Sequence, residues 1–137
     1  MASLVEFAGT APKDLGLKAG TLKPCPSTPN CVVSQGGDGE HTIEPLTYQG
    51  DREEVKAILE KVIAVVPRTK IVQTTEDYIR AESSSKLLGF VDDLEFYLPQ
   101  DAKVIQVRSA ARLGESDLGV NRRRIEQIRL ALQDLGV

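Results

Sequence analysis

Between Asp51 and Pro67 apolar residues recur at helical spacing: Val55, Ile58, Leu59, Val62, Ile63 and Val66. Steps of three and four put them on one face of an α-helix. Asp51 stands as its N-cap, Glu54 completes a capping box, and Pro67 ends it. Downstream the period changes to two. KIVQTTE and YIRAESS flank Asp77 and read as a tight hairpin. GFVDDLEFYLP and KVIQVRSAAR alternate as two more strands, with a turn over residues 99–102 between them. A second helix is predicted over 121–135, with Ile125, Ile128, Leu132 and Leu135 facing inward. Upstream, HTIEPLTY reads as a short strand, and Pro45 argues that it is an edge or a bulge. Residues 1–40 hold most of the Gly and Pro punctuation and sustain no apolar period. They read as an extended arm pinned near Cys25 and Cys31, with SQGGDGE as a loop tip.

The order is therefore β-α-β-β-β-β-α. Short turns make consecutive strands antiparallel. Two amphipathic helices need one apolar surface, so both are expected on one face of the sheet. The predicted fold is α+β, a two-layer antiparallel sheet over 41–137 with the arm 1–40 outside it. The arrangement is similar to half of the TATA-box-binding-protein fold, a likeness of architecture that carries no function.

Alternation also assigns the second face. Tyr78, Arg80, Glu82, Asp93, Glu95, Tyr97, Gln106, Arg108 and Arg112 point away from the helices. This is either a solvated face laced with cross-strand ion pairs or a polar platform with Tyr for stacking and Arg for anions. The arm is long enough to lie on it. Asp92 falls in the apolar register of its strand and needs a cation there. Arg122, three residues before Ile125, is the expected partner.

That pairing bears on an oddity. Arg122, Arg123 and Arg124 stand together where a helix begins, and a helix start carries partial positive charge. With Arg108 and Arg112 they form the strongest candidate site. LGESDLG before them can bend sharply, and Ser116, Asp117 or Asn121 is the candidate cap. Internal salt bridging is the first reading of the cluster. Binding of a phosphate, sulfate or carboxylate is the second.

The totals narrow the classes. The chain has 137 residues, 41% hydrophobic and 27% charged, with a formal net charge of −3. That suits one globular domain and gives no electrostatic case for nucleic acid. Apolar runs are too short to span a membrane, and the start lacks the pattern of a signal peptide. Two cysteines, Cys25 and Cys31, and one histidine, His41, do not make a zinc set. The cysteines are a disulfide candidate, with two reduced thiols or redox chemistry as the alternatives. No nucleophile elbow, phosphate loop or cofactor motif is present.

PCPSTPNCVVSQ, PRTKIV, DYIRAE, GFVDDLEFYLP and VIQVRSAARLGESDLGVNRRRIEQIR together resemble the "domain of unknown function" family numbered 1499, in its cyanobacterial and plastid form. The likeness runs from about Cys25 to the end. It maps onto Cys25, Cys31, His41, Asp92, Asp93, Arg108, Ser109, Arg112, Ser116, Asp117, Asn121, Arg122 and Arg124, and it implies no role for any of them. Some relatives carry an N-terminal anchor or export segment, and none is read here. The location stays open: as written the chain reads as soluble and cytoplasmic, and as exported or thylakoid-associated had such a segment been removed. The sequence favours a non-enzymatic binding or assembly module. It would hold an acidic protein partner or small anion through Arg108, Arg112, Arg122, Arg123, Arg124, Tyr78, Arg80 and Tyr97, with no cofactor and no metal. The alternative is a small-molecule binding protein or enzyme with a pocket between arm and sheet.

Overall fold

The computed structural model describes residues 9–86, 89–114 and 119–137. The chain forms strand β1 (Cys31–Val33), a 3-10 turn (Gly39–His41), strand β2 (Leu46–Thr47) and helix α1 (Arg52–Val65). Strands β3 (Thr69–Thr74), β4 (Tyr78–Ser84), β5 (Val91–Tyr97) and β6 (Val104–Ala111) follow, and then helix α2 (Val120–Asp134). The sheet has six strands in the order β1-β6-β5-β4-β3, with β2 also paired to β6. Every named strand pairing is antiparallel. The class is α+β.

Local chemistry explains the elements. The Asp51 carboxylate accepts the Glu54 backbone N–H at 3.0 Å, which satisfies one of the free donors of the first turn of α1. Val55, Leu59, Val62 and Ile63 are buried along one stripe of α1. Ile125, Ile128 and Leu132 do the same on α2. Both stripes meet Ile79, Ala81, Leu94, Phe96, Leu98, Ile105 and Val107 from the sheet in one apolar cluster. Helix α2 starts from Gly119, whose φ of 80° lies in the left-handed region that glycine enters without a Cβ clash.

Three expectations change. The segment read as arm contains β1: Cys31, Val32 and Val33 pair with Ala110, Ser109 and Arg108 of β6. HTIEPLTY shrinks to the two-residue β2, because the 3-10 turn takes its start and Pro45 has no N–H for a ladder. Leu135 lies beyond the end of α2 and is 60% exposed, whereas Asn121 at the head of the stripe is fully buried. Among the described residues no helix is long and apolar enough to cross a membrane.

The arm adds a third layer. Leu22, Val33 and Tyr78 form a second apolar cluster, joined by Leu17, Cys25 and Tyr97. It lies on the sheet face opposite the helices. Cys25 and Cys31 are disulfide-bonded, with Cα atoms 5.7 Å apart, which ties the arm to the first residue of β1.

Candidate functional site

The second face of the sheet is as ionic as its alternation implies, but its centre is not open to water. Asp93 is 1% exposed, Glu95 0% and Arg108 3%. Strand register sets these groups against one another. Glu82 faces Asp93 across β4 and β5, and Glu95 faces Arg108 across β5 and β6. Arg112 clamps Asp93 with Nε and Nη2, each at 2.8 Å, and its Nη2 also donates to Glu82. Arg80 donates to Asp93 at 3.3 Å and to Glu82 at 3.4 Å. Hydrogen bonds from Arg112 to Asp93, opposed by burial, hold the guanidinium well above its ordinary pKa. Burial alone would raise the Glu82 carboxyl, but Arg112 and Arg80 outweigh it and leave the group lowered. This half of the face is a closed ion-pair network, and Arg80 and Arg112 are occupied within it.

The other half is less complete. The Tyr78 hydroxyl and the Gly16 N–H of the arm, at 2.8 Å, both donate to Glu95 Oε2. Burial, and then the hydrogen bond to Glu95, push the Tyr78 phenol far up, so it stays a neutral donor. Arg108 Nη1 lies 3.8 Å from Glu95 Oε1, beyond hydrogen-bond reach. Arg108 Nη2 has only a long contact, 3.5 Å, to the Pro24 carbonyl. Among the described residues two buried side-chain atoms have no hydrogen-bond partner, Glu95 Oε1 and Arg108 Nε. Loss of water around the buried guanidinium pulls the Arg108 pKa down, and Glu95 opposes that.

Arg108 opens onto a cleft of about 700 Å³ between arm and sheet. Pro12, Gly16, Thr21, Leu22 and Pro24 of the arm form one wall, and Asp93, Arg108 and Arg112 the other. Four cationic side chains line it, Lys18, Lys23, Arg108 and Arg112, against two acidic ones, Asp14 and Asp93. Asp14 is paired with Lys23 at 2.9 Å. Tyr78, expected as a stacking platform, is 4% exposed and lies beneath the arm.

The arginines of α2 are separated by direction. The expected Asp92–Arg122 pair is replaced: Arg124 Nη2 meets Asp92 Oδ2 at 2.9 Å. Arg122 turns the other way and donates to the carbonyls of Glu40 and Thr42, at 3.0 and 2.7 Å. The reason is helical geometry. Arg124 shares an edge of α2 with Asn121, to which its Nη1 donates at 3.0 Å, and that edge packs on β6. Asn121 is no cap. It lies inside the helix, accepts from Ser109 Oγ and donates to the Asn30 carbonyl at 3.2 Å. Ser116 and Asp117, the other candidate caps, lie outside the described residues. Arg123 is exposed and lines a separate cleft of about 550 Å³ on the helix side, with Arg68, Lys86, Phe90 and Asp92.

The sequence pattern groups Arg108 and Arg112 with Arg122, Arg123 and Arg124, whereas in the fold Arg108 and Arg112 line the cleft beside the arm, and Arg123 and Arg124 line the one on the helix side. The pattern assigns Glu95 to the correct face without marking it as buried, because the burial comes from residues some eighty positions away. Among the described residues no three His, Cys, Asp or Glu side chains gather as a metal-holding group. Comparison with curated proteins finds no match. The model of the family described as "Protein of unknown function (DUF1499)" matches residues 21–132, from within the arm through most of α2, and the chain belongs to that family.

Proposed function

We propose that this chain is a binding protein for a small anion, a carboxylate or phosphate group, held between arm and sheet by Arg108. The observation that carries the reading is the state of that guanidinium. It is buried, it lines a cleft, and its Nε has no acceptor. Nε and Nη2 form one edge of the arginine fork, and such an edge fits a carboxylate or phosphate bidentately. An unpaired buried donor costs about 1–3 kcal/mol, and a ligand oxygen would remove that cost. Once Glu95 is counted against Arg108, Asp93 against Arg112 and Asp14 against Lys23, Lys18 remains as surplus positive charge at the rim. Nothing in the site calls for a reacting group, so a binding role needs the fewest additions.

The rival reading, an acidic partner on an open polar face and an arginine-rich helix start, has less support. The centre of the face is covered, and Arg122 and Arg124 have partners within the fold.

The test is a thermal-shift titration with acetate and inorganic phosphate on three proteins. Wild type should show a saturable rise in melting temperature. Arg108→Lys keeps the charge but loses the fork, and should weaken the apparent affinity about tenfold or more. Arg123→Ala should leave it unchanged. Loss of the shift in Arg123→Ala instead would move the site to the helix start, and no shift in wild type would remove the anion reading.

A further inference from the structure

We infer that the Cys25–Cys31 disulfide is a redox latch that keeps the arm closed over the ionic face of the sheet. The layer it holds differs in kind from the rest of the fold. Helices α1 and α2 cover an apolar face, so lifting either would expose hydrocarbon. The arm covers Asp93, Glu95 and Arg108, groups that gain water when uncovered. Among the described residues its noncovalent hold is slight. Leu22 is its one deeply buried apolar residue among those described before Cys25. Among the described residues, the segment before Cys25 is bonded to the rest of the chain by Gly16 N–H to Glu95, Leu22 N–H to Gln35 at 2.9 Å, Gln35 to the Gly20 carbonyl at 3.1 Å and the long contact of Arg108 with the Pro24 carbonyl at 3.5 Å. A layer held by few apolar contacts over a hydratable face is of the kind that opens without global unfolding.

The covalent tie sits three residues after Leu22 and fixes the arm against the first residue of β1. With the bridge intact, Leu22 is held within a short, proline-stiffened tether of its seat between Val33 and Tyr78. With the bridge open, the tether runs nine residues to Cys31, and reseating carries a larger entropic cost. The two sulfurs also differ in access. Cys31 is fully buried, whereas Cys25 is partly exposed beside the cleft. A dithiol reductant would therefore attack Sγ of Cys25, forming a mixed disulfide and expelling the Cys31 thiolate. Its second thiol then displaces Cys25 and closes the reductant's own disulfide, and the reductant's two protons end on the two cysteines. The inference goes beyond the anion reading, because it concerns whether the arm is closed and not what lies beneath it.

Limited trypsin digestion of the full chain tests it, with and without dithiothreitol and in the Cys25→Ser/Cys31→Ser double variant. Lys18 is exposed in the arm and is the reporter site; Lys103, after β5, reports on the domain. Reduction, verified by thiol counting, should speed cleavage at Lys18 by about tenfold or more, with Lys103 unchanged, since only the arm is released. The double variant should cleave at the faster rate without any reductant. Equal rates at Lys18 in oxidised and reduced protein would overturn the latch. Faster cleavage at both sites would overturn it too, by making the bridge a brace of the whole domain. No ligand enters the readout, so its failure is separate from failure of the anion reading.

Discussion

His41 shows how one residue ties the cysteine loop to the domain. It is 6% exposed, with Nδ1 against Asp38 and Nε2 2.9 Å from the carbonyl of Thr28, inside the Cys25–Cys31 loop. Both partners are acceptors, so both ring nitrogens donate only in the imidazolium form. Asp38, and then the Thr28 carbonyl, raise the His41 pKa above its ordinary 6.5. The sign follows directly. The folded state holds its proton to higher pH than the unfolded chain, so the stabilisation is complete below about pH 6.5 and fades as pH rises through the folded value. The melting temperature should therefore fall as pH is raised from about 6.5, and His41→Gln should flatten that part of the curve. A wild-type curve already flat there would mean that His41 is neutral in the fold.

At the scale of elements, the three arginines that begin α2 point three ways. Arg124 neutralises an aspartate placed in the apolar register of β5, Arg122 takes two carbonyls of the 40–42 segment, and Arg123 faces out. Arg129, a turn and more further on, behaves as Arg122 does and donates to the carbonyls of Pro45 and Glu44 at 2.8 and 2.7 Å. Arg124→Ala would leave Asp92 nearly buried without this cation and should cost about 3 kcal/mol in chemical denaturation. Arg123→Ala should cost no more than about 1 kcal/mol. Equal losses would mean that the Asp92 pair is not a supporting contact. The strands β3 to β6, both helices and the two sheet faces were legible because period and cap chemistry are local. The Arg124 pairing was not, since Arg122 and Arg124 both lie within a turn of Ile125 and only the seating of α2 against β6 chooses between them. Strand β1 escaped notice because three residues between Asn30 and Ser34 hold too little alternation to read.

The whole molecule is a sandwich of unlike halves: an apolar layer under two helices and an ionic layer under a disulfide-tied arm. The second layer was half legible. Alternation exposed its charges, but no local signal says that an arm of mixed composition will lie on them rather than beside them. Covering the face creates the cleft and leaves Arg108 Nε buried without an acceptor. Its purpose as an anion contact is the central claim, and an amide-type spectrum of the arginine side chains reaches it most directly. The measurement is a proton–nitrogen-15 correlation spectrum of the arginine Nε–H groups, recorded while acetate and then phosphate is added. The Arg108 signal should move saturably with added anion while that of Arg123 stays in place. Movement at Arg123 with Arg108 unmoved, or no movement at either, would contradict the claim.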